Sequence, residues 1–158
     1  MVTNQIDVTF DVRTDARDAW VPTPALSHAI LTYNRGRAAD DPGRADGIVV
    51  TPSHNPPRDN GYKVYLGDGS QIVPPVDSEI AERIAEVARH DLADVPRSDA
   101  YEVLGDELVA VYRDRVVSLV PPEAPRPLSW VYTPLHGVGG SLVHDVVAAA
   151  GFPAAAVV

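Results

Sequence analysis

Apolar residues recur every three or four positions in three stretches of the chain, and this spacing is typical of one face of an α-helix. The first stretch opens with Thr23 as the helix cap and Pro24 as the first helical residue, and Gly36 ends it. The second is capped near Asp77, and the third begins at about Asp106. The apolar positions are Leu26, Ile30 and Tyr33, then Ile80, Ile84 and Val87, then Leu108, Tyr112, Val116 and Leu119.

Two short stretches between the first and second helices have the patterns of strands. Residues 48–50 form a continuous apolar run, which predicts a buried strand. Residues 62–66 alternate, with Lys63 on the face opposite Tyr62 and Val64. The loop between them is polar and flanked by prolines. A buried strand that ends in such a loop holds the loop's side chains at the sheet's carboxyl edge, where open α/β sheets bind ligands.

The second half of the chain predicts a change of domain. Residues 121–127 are rich in proline, which is typical of an interdomain linker. A strand over residues 128–133, a helix over 141–150 and a strand over 154–158 then predict one βαβ unit, which favours a parallel sheet. The expected division is residues 1–20, unassigned; 21–120, a first domain; 121–127, a linker; and 128–158, the start of a second domain.

Composition narrows the classes of function. The 158 residues suffice for about one domain, and the net charge of −9 argues against nucleic-acid binding through bulk electrostatics. The absence of cysteine excludes thiolate metal sites, and no apolar run is long enough to span a membrane. We therefore expect a cytoplasmic protein. An acidic chain of this kind can still bind a sugar phosphate through a local cluster, and Lys63 is its only lysine.

The loop after the apolar run carries the candidate chemistry. Ser53 and His54 are adjacent there, and Lys63 follows on the next strand. A hydroxyl beside an imidazole and an amine is a nucleophile with partners that move protons or hold a phosphate by charge. A proline-rich surface turn with a solvated lysine would have the same residues. A serine hydrolase is disfavoured because the chain has no G-x-S-x-G and no spaced Asp/His set.

The same residues carry a resemblance to a known family. T-P-S-H-N-P-P followed by N-G-Y-K strongly resembles the active-site loop of the α-D-phosphohexomutase superfamily, whose members usually read T-A-S-H-N-P. V-P-T-P-A-L-S-H-A-I-L at residues 21–31 also fits. V-Y-T-P-L-H-G-V-G-G at residues 131–140 looks like the start of the family's second domain.

The resemblance implies a fold and a reaction. The fold is α/β, a mixed sheet with helices on both faces, followed by the first βαβ unit of a second similar domain. The reaction is phosphoryl transfer between C1 and C6 of a hexose phosphate, through a phosphoserine and a bisphosphosugar intermediate. Ser53 matches the phosphoserine, and Lys63 matches the lysine that assists proton transfer. His54 is implied to contact phosphate or substrate, and Asn55 to shape the loop.

The resemblance also implies partners that this chain does not supply. Magnesium would bind through the phosphate on Ser53 and through an aspartate-rich loop, but no Asp-x-Asp-x-Asp occurs in the chain. A bisphosphosugar would act as activator. Phe10-Asp11-Val12-Arg13 resembles a family strand ending in Tyr-Asp-x-Arg, which makes Arg13 a substrate candidate, whereas a frayed terminus is the plain alternative. We expect an inactive fragment that works with the remaining mutase domains. The alternative is a non-catalytic interaction module derived from a mutase.

Two weaker patterns have plain structural interpretations. Gly67-Asp68-Gly69 could suggest metal ligation, but a turn is the better interpretation. His136-Gly-x-Gly-Gly before a helix suggests an anion site at the helix N-terminus, whereas glycines for close strand–helix packing explain it equally well. His28 is expected to be a surface or packing residue of the first helix.

Overall fold

Helices and short strands alternate along the chain. The computed structural model describes residues 9–11 (backbone only), 21–51, 58–59, 61–135 and 137–158. The helices are α1 (Thr23–Tyr33), α2 (Val76–Val87), α3 (Glu107–Val117) and α4 (Gly140–Ala149). The strands are β1 (Thr9–Asp11), β2 (Gly47–Thr51), β3 (Gly61–Tyr65), β4 (Glu102–Leu104), β5 (Val131–Tyr132) and β6 (Ala156–Val157). The expected α/β class is confirmed.

The strands pair in both directions. β1 runs parallel to β4, β2 runs antiparallel to β3, and β5 runs parallel to β6. Within the described ranges these are three separate two-stranded sheets. The parallel β5–α4–β6 unit is the predicted βαβ unit, with strands of two residues each instead of five or six.

The helix starts differ from the predicted caps by one residue or more. Pro22, with φ −61° and ψ 139°, is the N-cap of α1, and its carbonyl accepts a hydrogen bond from the Ala25 amide at 2.9 Å. The prediction that Thr23 caps this helix was therefore wrong, because an extended proline already provides the non-helical residue before the first turn. Asp77 likewise lies inside the first turn of α2, which starts at Val76. Asp106 precedes α3 as predicted.

α1 covers one face of the β2–β3 hairpin. Ile30 and Ala25 are buried, and a Cβ added at Gly47 would lie 2.6 Å from Ile30 Cδ1. The helix therefore sits directly on the start of β2, and the lack of a side chain at Gly47 permits this close approach. Tyr33, the third position of the predicted apolar face, is exposed and lies under the Arg37 guanidinium, 4.8 Å from the ring centre.

β2 is not a buried strand, and that prediction was wrong. Its exposure alternates, and Ile48 and Val50 are 53% and 68% exposed on the face away from α1. An apolar run alone cannot distinguish a strand buried on both faces from one that is covered on a single face.

α3 packs between the first helix and the last one. It contacts both α1 and α4, and the His28 ring meets the Tyr112 ring edge-on at 5.7 Å. His28 is therefore the packing residue that the sequence suggested. The apolar stripe of α2 is different, because no residue of that helix is buried and Ile84 and Val87 are exposed.

Arg126 gives the proline-rich segment 121–127 a defined contact with α4. Its Nε donates to the Ala150 carbonyl at 2.8 Å, and its guanidinium lies 4.9 Å from the centre of the Phe152 ring. Gly151, with φ +78°, ends the helix in the left-handed conformation that favours glycine.

Candidate functional site

The β2–β3 hairpin positions the candidate site. Its register pairs Thr51 with Gly61, Val49 with Lys63 and Gly47 with Tyr65. Residues 52–60, which include the Ser-His-Asn sequence, join the two strands beyond the Thr51–Gly61 pair. The strands therefore fix where this segment begins and where it ends.

Most of the predicted site residues fall outside the described ranges. Ser53, His54 and Asn55 lie in residues 52–57, and Arg13 lies in residues 12–20. Their roles stay predictions. Lys63 is the one predicted site residue whose side chain is described.

Lys63 occupies the inner face of the hairpin. It shares that face with Gly61 and Tyr65, because side chains two positions apart point the same way, and it is half-buried. Tyr62 lies on the outer face and is exposed, as the alternation predicted. Among the residues that the structure describes, no carboxylate forms an ion pair with Lys63. No described acid therefore neutralises its charge.

Gly61 is required by a close backbone approach at the base of the loop. A Cβ added there would lie 2.4 Å from the Thr51 carbonyl oxygen. No side chain fits at this distance unless the two strands separate. In the sequence, Gly61 is only one residue of the N-G-Y-K motif, and the facing strand must be known before the close approach can be recognised.

The far end of the hairpin contains a buried polar residue that sequence reasoning missed. Asn34, directly after α1, is 5% exposed. Its Nδ2 donates to the carbonyls of Ala45 and Gly67, and its Oδ1 accepts from the Ala45 amide, each at 2.8 Å. An Asn two residues before the glycine that stops a helix was the only signal in the sequence.

The Gly67-Asp68-Gly69 segment is a turn, as predicted. Asp68 Oδ1 accepts from the Ser70 amide at 2.8 Å, and the Gly69 amide donates to the Leu66 carbonyl at 2.8 Å. Gly69 has φ +75°, and Ser27 Oγ of α1 donates to its carbonyl at 2.6 Å. The carboxylate of Asp68 therefore serves the turn, which is tied to α1.

The described residues do not contain a magnesium site. No three His, Asp or Glu side chains in those ranges come together in a group that could hold a metal ion. Ser53, the one ligand that the resemblance implies for this chain, lies outside the described ranges.

The segment predicted as an anion loop makes a tight turn before α4. His136 lies outside the described residues, and the Gly137 amide donates to the Pro134 carbonyl at 2.7 Å. A Cβ at Gly137 would lie 3.0 Å from that same oxygen, so this glycine permits a tight turn before α4.

Among the described helices, none has the length and apolar character needed to cross a bilayer.

Comparison with known proteins identifies the family. The family model described as phosphoglucomutase/phosphomannomutase, alpha/beta/alpha domain I, matches residues 4–91, which is more than half of the chain. The chain belongs to the phosphoglucomutase/phosphomannomutase family. The match includes the hairpin, the Ser-His-Asn segment and α1.

Individual relatives carry several mutase names. A probable phosphomannomutase of Haemophilus influenzae is 44% identical over 136 residues, which cover 84% of this chain and 26% of the relative. A phosphoglucomutase of Komagataeibacter xylinus is 51% identical over 81 residues, covering 51% of this chain and 13% of the relative. A probable phosphoribomutase of Schizosaccharomyces pombe is 36% identical over 136 residues, covering 77% and 21%. The chain thus spans about a quarter or less of these relatives.

Proposed function

We propose that this chain carries the phosphoserine hairpin of a phosphohexomutase of the phosphoglucomutase/phosphomannomutase type. The observation that carries the proposal is the β2–β3 register. It pairs Thr51 with Gly61, which brings together the two ends of the segment 52–60 that contains Ser-His-Asn, and it holds Lys63 one pair further along the inner face. The family match over residues 4–91 supports the assignment of that segment.

Ser53 is the phosphate carrier in this proposal. Its phosphoryl group passes to a free hydroxyl of the hexose phosphate, which gives a bisphosphosugar and leaves the serine hydroxyl. After the sugar reorients, its other phosphoryl group returns to Ser53. Phosphoryl transfer of this kind depends on positioning and on charge stabilisation, so the placement of the carrier matters more than its intrinsic reactivity.

In this proposal, Lys63 assists proton transfer from the accepting sugar hydroxyl and stabilises the negative charge that develops on its oxygen. An amine on the inner face, with no described carboxylate paired to it, suits proton transfer at the accepting oxygen. His54 contacts the phosphate or the substrate, Asn55 shapes the loop through bonds to backbone groups, and Arg13 contributes to substrate binding.

The identity of the cofactors and of the sugar is proposed from the family, because no contact of the described residues bears on it. Magnesium would supply charge neutralisation at the transferred phosphate, and a bisphosphosugar would prime the serine. Because the described residues contain no three-ligand group, further domains would provide the remaining ligands. The relatives are named for mannose, glucose and ribose phosphates, so this chain leaves the choice among sugar phosphates open.

Phosphate transfer to Ser53 tests the proposal. The chain, joined to the remaining family domains, is incubated with radiolabelled glucose 1,6-bisphosphate and magnesium and then analysed by peptide mass spectrometry. We expect about one phosphate per chain, on Ser53, and none in Ser53→Ala. Label that persists in the Ser53→Ala variant would refute the assignment.

A non-catalytic interaction module is the second candidate. It is favoured by the lack of an Asp-x-Asp-x-Asp sequence in this chain and of a three-ligand metal group among the described residues. A phosphorylated Ser53 with no turnover in any domain combination would support this module, whereas turnover by the combined domains would exclude it.

A further inference from the structure

The register of the β2–β3 hairpin must be fixed by contacts outside the loop that joins the two strands. Two- to five-residue turns set the register of most hairpins, but here residues 52–60 separate the strands. A slip by one residue would move Lys63 from the inner face to the outer face. A slip by two would shift it along the strand by roughly 7 Å, at about 3.4 Å per residue. Either slip would remove Lys63 from the position that the proposed function requires.

Asn34 bonds to the two residues that extend this register. Moving two positions outward from the Gly47–Tyr65 pair places Ala45 opposite Gly67. These are the residues that the buried Asn34 carboxamide holds, with two bonds to Ala45 and one to Gly67. The side chain therefore bridges one register pair from the end of α1, in the place where the strands would otherwise bond to each other.

The bonds of Asn34 are not needed for ending the helix. Its backbone amide already donates to the Ile30 carbonyl at 2.9 Å, which completes the last turn of α1. The side chain is thus free for the hairpin, and all of its three bonds go there. Arg44 adds a second donor to the Gly67 carbonyl, from its Nη2 at 2.7 Å. Any slip would carry the Gly67 carbonyl away from both donors and leave one N–H of the buried Asn34 carboxamide without its acceptor, which is costly.

We infer that Asn34 is a positioning residue that fixes the register of the β2–β3 hairpin and thereby keeps Lys63 on the inner face. The role of Lys63 rests on the proposed function, whereas the role of Asn34 in the register does not. The two ideas can therefore fail separately.

Engineered disulfides report the register directly, because the chain contains no cysteine. Val50 and Tyr62 are register partners on the exposed outer face, so Val50→Cys with Tyr62→Cys reports the native pairing. Val50→Cys with Val64→Cys is a diagonal pair, too distant for a disulfide unless the strands slip by two residues. The measurement is the ratio of the two oxidation rates, in the parent and in the Asn34 variants.

Asn34→Leu and Asn34→Asp are the test variants, and Ser27→Ala is the matched control. Asn34→Asp keeps the acceptor for Ala45 but loses both donors, whereas Ser27→Ala removes the bond from α1 to Gly69, outside the register pair. We expect the ratio to fall by about tenfold in both Asn34 variants, since each loses bonds that the buried Asn34 side chain makes to the half-buried Ala45–Gly67 pair. In Ser27→Ala it should stay within about twofold.

Two outcomes would overturn the inference. One is an unchanged ratio in a folded Asn34 variant. The other concerns a variant that fails to fold. A preformed disulfide between positions 50 and 62 supplies the register, so it should restore the folding of that variant, measured by circular dichroism. Failure of that rescue would show that Asn34 acts through packing alone. None of these measurements depends on phosphate transfer.

Discussion

Lys63 combines three properties that are rarely met together in a surface lysine. It is half-buried, it shares the inner face with the buried Tyr65, and no described carboxylate pairs with it. A structural lysine in a folded domain normally lies in solvent or pairs with an acid. This arrangement is compatible with the role proposed for Lys63 at an anionic ligand.

Replacement of Lys63 by Met should cost activity and not stability. In a mutase assembled from this chain and the remaining family domains, Lys63→Met should lower kcat by about 10²–10⁴-fold, the usual effect of losing an acid–base group. The measurement is a coupled assay of hexose 1-phosphate conversion, alongside thermal unfolding. Met retains most of the length of the unbranched lysine side chain and removes its amine, with the charge and the protons that the amine carries.

The control for this variant is Arg89→Met, which removes an exposed cation just beyond α2. It should leave kcat within twofold. If Lys63→Met also stays within twofold, Lys63 is a surface residue and the proposed proton transfer is wrong.

At the residue scale, the sequence identified candidate functional residues only where these residues are close together along the chain. Ser53, His54 and Lys63 stand in one motif, so the sequence alone nominated them. Asn34 was missed because its two partner residues, Ala45 and Gly67, lie 11 and 33 positions away. Nothing in the local pattern shows that a polar residue after a helix will be buried on a hairpin.

The hairpin as an element depends on Gly61. In Gly61→Ala the new Cβ would lie 2.4 Å from the Thr51 carbonyl oxygen, so the strands must separate at the base of the loop. We expect a loss of about 1–3 kcal/mol in the free energy of unfolding, the usual cost of overpacking. Urea denaturation measures it. Labelling of Ser53 should also slow, because the two ends of its segment move apart.

Gly139→Ala is the matched control for Gly61→Ala. At Gly139, the residue before α4, an added Cβ meets no atom within 4 Å and φ is −77°. Its effect should stay within about 0.5 kcal/mol, as for a surface substitution. Equal losses in the two variants would contradict the close-approach argument.

The start of α3 makes a small contribution to stability that depends on pH. Hydrogen bonds from the Glu107 backbone amide and from the Gly105 amide lower the pKa of the Glu107 carboxyl from its usual 4.5. The charged form is thus favoured in the folded state. Its stabilisation is present above the unfolded pKa and is lost as the pH falls through the lowered folded pKa.

Glu107→Gln tests this contribution by urea denaturation as a function of pH. The parent should be more stable than the variant at pH 7, and the difference should disappear well below pH 4.5, where both carry a neutral side chain. A difference that persists unchanged in acid would show that charge is not the cause.

The types of the elements could be predicted from the spacing of apolar residues and from the positions of prolines and glycines, whereas the burial of their side chains could not. Within the described ranges, the four α-helices and the βαβ unit follow the apolar spacing and the prolines and glycines of the sequence. The apolar runs of β2 and α2 also suggested covered surfaces, yet Val50, Ile84 and Val87 are exposed. Burial depends on what packs against an element, and local sequence does not specify that neighbour.

At the scale of the whole molecule, the described ranges bury little apolar surface. Ala25, Ile30, Tyr65, Leu142 and Ala150 are the buried apolar residues there. The outer face of the hairpin and the stripe of α2 are open to solvent. Exposed apolar faces of this kind are typical of surfaces that bind other protein surfaces. This supports the proposal that the chain works together with further mutase domains.

The last prediction follows from that proposal: the 158-residue chain by itself should not turn over hexose phosphate. Phosphoryl transfer requires charge stabilisation at the transferred group, and the described residues contain no group of three acids or histidines that could hold magnesium. The measurement is a coupled assay of hexose 1-phosphate conversion with magnesium and a bisphosphosugar activator. Addition of the remaining family domains, as a fusion or in trans, should restore activity, and Ser53→Ala should abolish it again. Turnover by the chain alone in the typical range of about 1–10³ s⁻¹, lost in Ser53→Ala, would contradict the prediction and place a complete active site within these residues.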